Sequence, residues 1–97
     1  MPKDDTVGSY LEERRREVHR LVEGALIHLG VREYSVSVTM RRGVDVYSPE
    51  EPLFAVKAGV DRILSGDEVE FIVHGLRDRG YSVKRLRSLE DRLLLLV

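Results

Sequence analysis

The 97-residue chain contains no cysteine, tryptophan, asparagine or glutamine. Without cysteine, a disulfide bond, a thiolate metal site and a cysteine nucleophile are all excluded. Asparagine, glutamine and cysteine are chemically fragile at high temperature, whereas networks of charged side chains become relatively more favourable there. Since the charged residues are dominated by arginine and glutamate, the composition predicts a protein from a thermophile.

Long apolar segments are also lacking. No segment approaches the roughly 20 apolar residues that a membrane-spanning helix needs, and the first ten residues, MPKDDTVGSY, have no apolar core of the signal-peptide type. We therefore expect a cytoplasmic protein without membrane contacts. The formal net charge of -1 gives no overall attraction to nucleic acid, so such binding would depend on a local patch.

The composition is that of a folded chain. Hydrophobic residues make up 42% and charged residues 34%, whereas a disordered chain would lack the apolar groups that offset chain entropy. The length suits one modest core. We expect a single domain over residues 1–97, with residues 1–8 as a flexible amino terminus.

The first predicted element is a helix over residues 10–29. Ser9 and Glu12 have the S-x-x-E spacing of a capping box, and Gly30 fits a left-handed helix end. Arg14 and Arg15 interrupt the apolar stripe, so we expect the first turns to project past the core. The stripe recurs at helical spacing: Leu11, Val18, Leu21, Val22, Ala25, Leu26 and Leu29.

The stretch YSVSVTMRRGVDVYS, residues 34–48, predicts a β-hairpin. Apolar and polar residues alternate from Tyr34 to Met40, as in a half-buried strand, and Val44 and Val46 continue the pattern. Pairing Met40 with Val44 leaves a three-residue loop that ends in glycine, a common hairpin connection. Arg41 and Arg42 are then explained as part of the hairpin tip.

Two helices are predicted next. Ser48 and Pro49 mark a start, Gly66 marks an end, and the residues between them place apolar side chains at helical spacing: Leu53, Val56, Val60, Ile63 and Leu64. Residues 68–79 fit either a strand or a helix. We favour a helix, because Asp67 as the amino-terminal cap and Gly80 just beyond the end agree with each other.

The carboxyl-terminal residues, YSVKRLR and RLLLLV around a turn near SLED, predict a second hairpin. The resulting order is α-β-β-α-α-β-β. We expect an α+β two-layer sandwich, with helices on one face of a four-stranded, largely antiparallel sheet.

No arrangement of residues points to catalysis. His19, His28 and His74 lack metal-binding or protease spacing, and no phosphate loop or nucleophile elbow is present. The carboxylates of residues 50–51 and 67–70 lie at predicted helix starts, where capping explains them better than a metal does. The sequence favours a non-enzymatic protein without a cofactor or metal.

Basic residues cluster near the carboxyl terminus. An aromatic side chain beside guanidinium groups on a sheet can stack on bases and contact phosphates. The alternative is a solvated edge strand that its charges protect from aggregation. The candidate nucleic-acid-binding residues are Arg77, Arg79, Tyr81, Lys84, Arg85 and Arg87.

Two families show a partial likeness. The predicted order resembles the prokaryotic KH domain, which implies a nucleic-acid-clamping G-x-x-G loop between paired helices; the junction here reads Ser65, Gly66, Asp67, Glu68. Residues 45–73 are similar to the TusA/SirA sulfur-carrier family in Pro52, in Lys57 on a helix, and in Gly66 before DEVEFIV. That likeness implies a strand at 69–73, and the family's cysteine is absent.

The apolar run Leu93–Val97 suggests an interface, because a two-layer sheet leaves alternate residues of such a strand uncovered. We expect a small interaction module that contacts itself or another protein, with self-association. The alternative is an RNA- or DNA-binding protein that uses the carboxyl-terminal basic hairpin.

Overall fold

The computed structural model describes residues 3–41, 52–89 and 92–97, with backbone alone for residues 3–8 and 85–89. Within these residues the chain forms two helices and four strands. In chain order they are α1 (Lys3–His28), β1 (Tyr34–Met40), β2 (Phe54–Val60), α2 (Gly66–Asp78), β3 (Lys84–Leu89) and β4 (Arg92–Leu96).

The four strands form one antiparallel sheet in the order β1-β2-β4-β3. All seven residues of β1 pair with β2, from Tyr34 with Val60 to Met40 with Phe54. β4 inserts between β2 and β3. Among the described strands, the two edges of the sheet are therefore β1 and β3.

The core lies between the helices and one face of the sheet. Alternate residues of β2 and β4 are buried, as expected for strands with one covered face. The α1 and α2 stripes pack against them in one cluster. The fully buried large side chains include Val18, Val22, Leu26, Phe54, Val56, Val69, Ile72, Leu76, Leu93 and Leu95. The fold is thus α+β with an antiparallel sheet, as predicted.

Helix α1 ends as predicted but begins earlier. Gly30 has φ +80°, and its N–H bonds to the Ile27 carbonyl while the Val31 N–H bonds to the Leu26 carbonyl, a left-handed helix end that buries Val31. The start is Lys3, not residue 10. Twenty-six helical residues span about 39 Å, against about 24 Å for a seven-residue strand, so α1 extends beyond the sheet.

The predicted helix between Ser48 and Gly66 is wrong where the structure describes it, because residues 54–60 form the inner strand β2. FAVKAGV alternates buried and less buried positions, and its two valines fit strand and helix periodicities equally well. Hydrogen bonding to both neighbouring strands stabilises the extended form. The predicted order α-β-β-α-α-β-β is accordingly replaced by α-β-β-α-β-β. The predicted pairing of Met40 with Val44 is wrong, because Met40 pairs with Phe54 and the Arg41 N–H bonds to the Leu53 carbonyl. The predicted strand at Val44–Val46 and the rest of the hairpin tip, Arg42 and Gly43, lie outside the described residues.

Helix α2, which ends at Asp78, confirms the helical interpretation of residues 68–79 apart from the last residue. Its cap is Ser65, not Asp67: the Ser65 hydroxyl accepts from the Glu68 N–H, and Glu68 accepts from the Ser65 N–H, a complete capping box. Gly80 follows with φ +90°. β3 and β4 correspond to the predicted terminal hairpin, whose turn residues 90–91 are not described.

These elements remove both family likenesses. The KH pattern needs two consecutive helices, but a strand precedes α2. The sulfur-carrier pattern places Lys57 on a helix and residues 69–73 on a strand, and the chain does the reverse. No helix among the described residues is long and apolar enough to cross a membrane.

Candidate functional site: the open face of the sheet

We call the sheet surface opposite the core the open face. Residues directly opposite each other in antiparallel strands point to the same side, so the register defines its rows. One row contains Thr39, Ala55, Leu96 and Lys84; the next contains Ser37, Lys57, Leu94 and the backbone position of Arg87; the third contains Ser35, Gly59, Arg92 and the backbone position of Leu89.

The open face is basic. Lys57, Lys84 and Arg92 are exposed on it, and none of its described side chains is a carboxylate. Neither Lys57 nor Arg92 forms an ion pair with another described residue. The chain has only three lysines, and two of them lie on this surface.

The register fixes the spacing of the two central cations. Lys57 is paired with Leu94 and Arg92 with Gly59, so Lys57 and Arg92 lie diagonally across neighbouring strands. Strand spacing and rise place their Cα atoms about 8 Å apart. Two flexible side chains at this separation can reach the same extended anionic chain.

Hydroxyl groups line the β1 side of the open face. Ser35, Ser37 and Thr39 are exposed, and the two serines line a shallow groove together with Lys57, Gly59, Arg92 and Leu94. A Cβ at Gly59 would approach the Ser35 Oγ to 2.9 Å, so glycine keeps this groove open. Serine hydroxyls and ammonium or guanidinium groups are the donors that commonly bind phosphate oxygens.

Leu94 and Leu96 are the apolar part of the open face, and both are only partly exposed. Lys57 lies beside Leu94, and Lys84 lies beside Leu96. Long cationic side chains cover neighbouring apolar surface with their methylene groups while the charge stays in water. The leucines therefore do not need a protein partner to cover them on this face.

Acidic residues mark one end of the open face. Glu33 and Asp61 line a second depression with Arg92 and Gly59, and the Asp61 carboxylate accepts a hydrogen bond from the Glu33 N–H. The positive potential is consequently centred towards Lys57 and Lys84. An anionic ligand would be directed away from the Asp61 end.

Tyr81 lies away from this surface. It is 6% exposed, and the Arg14 guanidinium covers its ring at 4.4 Å from the centroid. Its hydroxyl donates to the Glu17 carboxylate at 2.6 Å. Burial, followed by the hydrogen bond to Glu17, raises the pKa of Tyr81 well above its usual range. Its ring is not presented to a base.

The structure separates the other residues of the predicted basic cluster. Arg77 and Arg79 are exposed at the end of α2, where Arg77 donates to the Val83 carbonyl at 3.3 Å. Lys84 lies on the open face. Arg85 and Arg87 are in β3, on either side of a register shift, with their backbone alone described. Binding through the complete cluster stays a prediction.

Two of the histidines and the Glu68 carboxylate contact neighbouring side chains. His28 stacks on Phe71 with ring centroids 5.0 Å apart, and His74 lies 3.5 Å from the Asp78 carboxylate. Glu68 is hydrogen-bonded by Arg62 at 2.7 and 2.5 Å. No group of three or more potential metal ligands occurs among the described residues.

Sequence reasoning did not find the centre of the open face, because the apolar spacing around Lys57 predicts a helix. Two patterns in the sequence could have located it: the alternation of serine and threonine with apolar residues in β1, and the alternation in FAVKAGV of β2. If both segments are taken as strands, these patterns place the hydroxyl groups and Lys57 on one face of the sheet. No protein-family model matches the chain, and the searches of curated proteins and of solved structures gave no significant match.

Proposed function

We propose that this protein binds the phosphate backbone of single-stranded nucleic acid through the open face of its sheet, as a non-enzymatic module. The supporting observation is the pair Lys57 and Arg92: two exposed cations with no ion pair to a described residue, on a surface whose described side chains include no carboxylate.

Contacts with phosphate release condensed counterions, so cations held in one plane give affinity that falls steeply with salt. Lys57 and Arg92 supply the charges, and the hydroxyls of Ser35 and Ser37 supply further donors to phosphate or ribose oxygens. This division assigns most of the affinity to the cations and the orientation of the strand to the hydroxyls.

The open face favours a single strand over a duplex. Its described side chains form a sheet surface without a projecting helix or ribbon that would enter a major groove. Its described positions also carry no aromatic side chain, so base stacking of the kind used by sequence-specific RNA-binding sheets is not part of the proposal. We expect binding that depends little on sequence.

Self-association is the other function that the sequence suggests, on the basis of Leu93–Val97. In the structure Leu93, Leu95 and Val97 belong to the core, and Leu94 and Leu96 lie beside lysine side chains. These positions do not favour the open face as a protein interface. A contact between copies would have to use a different surface, such as an edge of the sheet.

The test is fluorescence anisotropy of labelled single-stranded RNA and duplex DNA at low and moderate salt. We expect saturable, salt-sensitive binding that is tighter for the single strand. In the double variant Lys57→Glu with Arg92→Glu, affinity should fall at least about tenfold. For two lost phosphate contacts on a single strand, the slope of log K against log salt should decrease by about 1.4.

A matched control is Arg20→Glu with Arg32→Glu, since both arginines are exposed away from the open face. This control makes the same change in net charge and should retain wild-type affinity apart from a small long-range effect. A third variant, Arg77→Glu with Arg79→Glu, tests the cluster predicted from sequence. Absence of binding at low salt, or full affinity in the open-face variant, would refute the proposal.

A further inference from the structure

The two edges of the sheet differ in charge. β3 contains Lys84, Arg85 and Arg87, and charged residues commonly protect an edge strand from pairing with another chain. β1, YSVSVTM, contains no charged residue and no proline over seven residues. Among the residues that the structure describes, no backbone group pairs with the outer side of β1.

The direction of the backbone groups in β1 follows from its pairing with β2. The Arg41 N–H bonds to the Leu53 carbonyl, so odd-numbered residues direct their backbone groups towards β2, and successive residues alternate. On the other side of β2, Phe54 exchanges hydrogen bonds with Val97. The next residue, Ala55, therefore directs its backbone groups towards β1, where its partner is the odd-numbered Thr39. The outward backbone groups belong to Tyr34, Val36, Val38 and Met40.

The side chains of β1 are self-complementary. When two β1 strands pair antiparallel about Ser37, odd positions meet odd positions and even positions meet even positions, so the open faces and core faces of both copies stay aligned. Hydroxyl residues then oppose hydroxyl residues, and apolar residues oppose apolar residues. The pairs are Ser37 with Ser37, Val36 with Val38, Ser35 with Thr39, and Tyr34 with Met40.

Several apolar groups on the core side of β1 are incompletely covered. Met40 is 44% exposed, and Tyr34 and Val36 pack only partly against the core. Val38 is the one buried residue of this strand. Pairing of two β1 strands would bring Met40 of each copy against Tyr34 of the other and reduce the exposure of both.

We propose that two copies of this chain associate through the outer edge of β1, in antiparallel register about Ser37, to form a continuous eight-stranded sheet. The interface is isologous, since the same strand contributes both sides of a two-fold contact. It also joins the two open faces across the hydroxyl rows of β1. This interface goes beyond the proposed nucleic-acid binding and does not depend on it.

The primary test measures the mass of the wild-type protein by light scattering over a wide concentration range. We expect a mass twice the 11.1 kDa of one chain at high concentration, decreasing on dilution. A mass of one chain at millimolar concentration would overturn the proposal. The measurement contains no nucleic acid, so its failure is distinguishable from failure of the proposed function.

Amide hydrogen exchange then identifies the surface involved. In the dimer the outward amides of Val36 and Val38 should exchange slowly, and on dilution their exchange should become fast. The Ser35 and Ser37 amides, directed towards β2, should remain protected at every concentration. Protection of Val36 and Val38 that does not change with concentration would contradict an intermolecular pairing.

A substitution at the two-fold axis gives an independent test. Ser37→Lys places two ammonium groups opposite each other at the axis, where like charges disfavour strand pairing, yet Ser37 is exposed in one copy and the fold should persist by circular dichroism. The variant should have the mass of one chain. Ser82→Lys, at an exposed residue of the loop before β3, is the matched control and should remain dimeric.

If Ser37→Lys is folded and still dimeric, the interface lies elsewhere and the proposal is wrong. If the variant does not fold, the exchange measurement on the wild-type protein decides the question.

Discussion

Tyr81 connects the segment before β3 to the middle of α1. Its hydroxyl donates to Glu17, and its ring lies against Arg14. The sequence predicts this tyrosine on a basic strand surface, because YSVKRLR has the alternation of one continuous strand. The strand begins only at Lys84, and the preceding link buries Tyr81 together with Val83.

Replacing Tyr81 should measure the contribution of this contact. We expect Tyr81→Phe to lower the free energy of unfolding by about 1 kcal/mol, the typical net value of one hydrogen bond, because the ring packing is retained. Urea denaturation of the variant measures this difference. Tyr10→Phe is the matched control, since Tyr10 is 55% exposed; an equal loss in the control would contradict the assigned role.

Glu68 and Arg62 link the carboxyl-terminal end of α1 to the start of α2. Arg62 donates to Glu68 and to the Leu29 carbonyl, the latter at 2.8 Å. The hydrogen bonds from Arg62, followed by the bond from the Ser65 backbone N–H, lower the pKa of Glu68 from 4.5 to about 2. The ionised carboxylate is therefore favoured by the folded state.

This shift predicts a pH-dependent contribution to stability. A depressed pKa stabilises the fold above the unfolded-state pKa, and the stabilisation is lost as pH falls through the folded-state value. At pH 7 the unfolding midpoint of the wild-type protein should therefore be higher than that of Glu68→Gln. The difference between the two midpoints should decrease as the pH falls from about 5 to about 2. Glu13→Gln, at an exposed residue of α1, is the control; a pH-independent difference for Glu68→Gln would refute this linkage.

At the scale of single elements, two glycines lie inside the helices and two lie just after them, and the two pairs differ in backbone conformation. A methyl group added at Gly24 in α1 or at Gly75 in α2 would meet no atom within 4 Å outside the local helix backbone. Gly30 and Gly80, just after the helices, have positive φ. Alanine is a better helix former than glycine but is strained at positive φ.

Alanine substitutions should therefore change stability in opposite directions. Gly24→Ala and Gly75→Ala should each raise the free energy of unfolding by about 0.5–1 kcal/mol, whereas Gly30→Ala and Gly80→Ala should lower it by about 1 kcal/mol. Thermal or urea denaturation of the four variants measures the effect. Destabilisation by Gly24→Ala or Gly75→Ala would contradict this prediction.

The sequence predicted best those elements whose ends are marked by a nearby residue such as a glycine. The cap at Gly30 ends α1, and the glycine at position 80 follows α2, because glycine at a left-handed position is a local requirement. β2 could not be predicted in this way. The apolar spacing of this segment fits a helix as well as a strand. Hydrogen bonds to β1 and β4 stabilise the strand, and these partners are distant in sequence.

At the scale of the whole molecule, the α+β class and the antiparallel sheet were predictable, whereas the position of the candidate site was not. Hydrophobic alternation reports that a strand has one covered face, but it does not report which strands are neighbours. The open face joins residues 35–39, 55–59 and 92–96, and only the order β1-β2-β4-β3 brings Lys57, Arg92 and the hydroxyls together. The sequence located basic residues near the carboxyl terminus, Lys84 among them, and missed Lys57 in the middle of the chain.

The composition predicts high thermal stability for the intact protein. Thermolabile asparagine, glutamine and cysteine are absent, and ion pairs such as Arg15 with Glu12 and Arg62 with Glu68 become relatively more favourable on heating. We expect a thermal midpoint above the range of about 45–65 °C that is typical of mesophilic domains. A midpoint within that range, measured by circular dichroism, would refute a thermophilic origin.

The distribution of charge over the open face has a consequence for how the protein moves towards a ligand. Among the described side chains the open face has Lys57, Lys84 and Arg92 and no carboxylate, in a chain with sixteen cationic side chains and seventeen carboxylates. We expect a nearly neutral chain with cations gathered on one surface to have a dipole moment whose positive end lies towards the open face. In the field of a polyanion it should rotate before contact, so that productive encounters are selected by orientation and not by net charge.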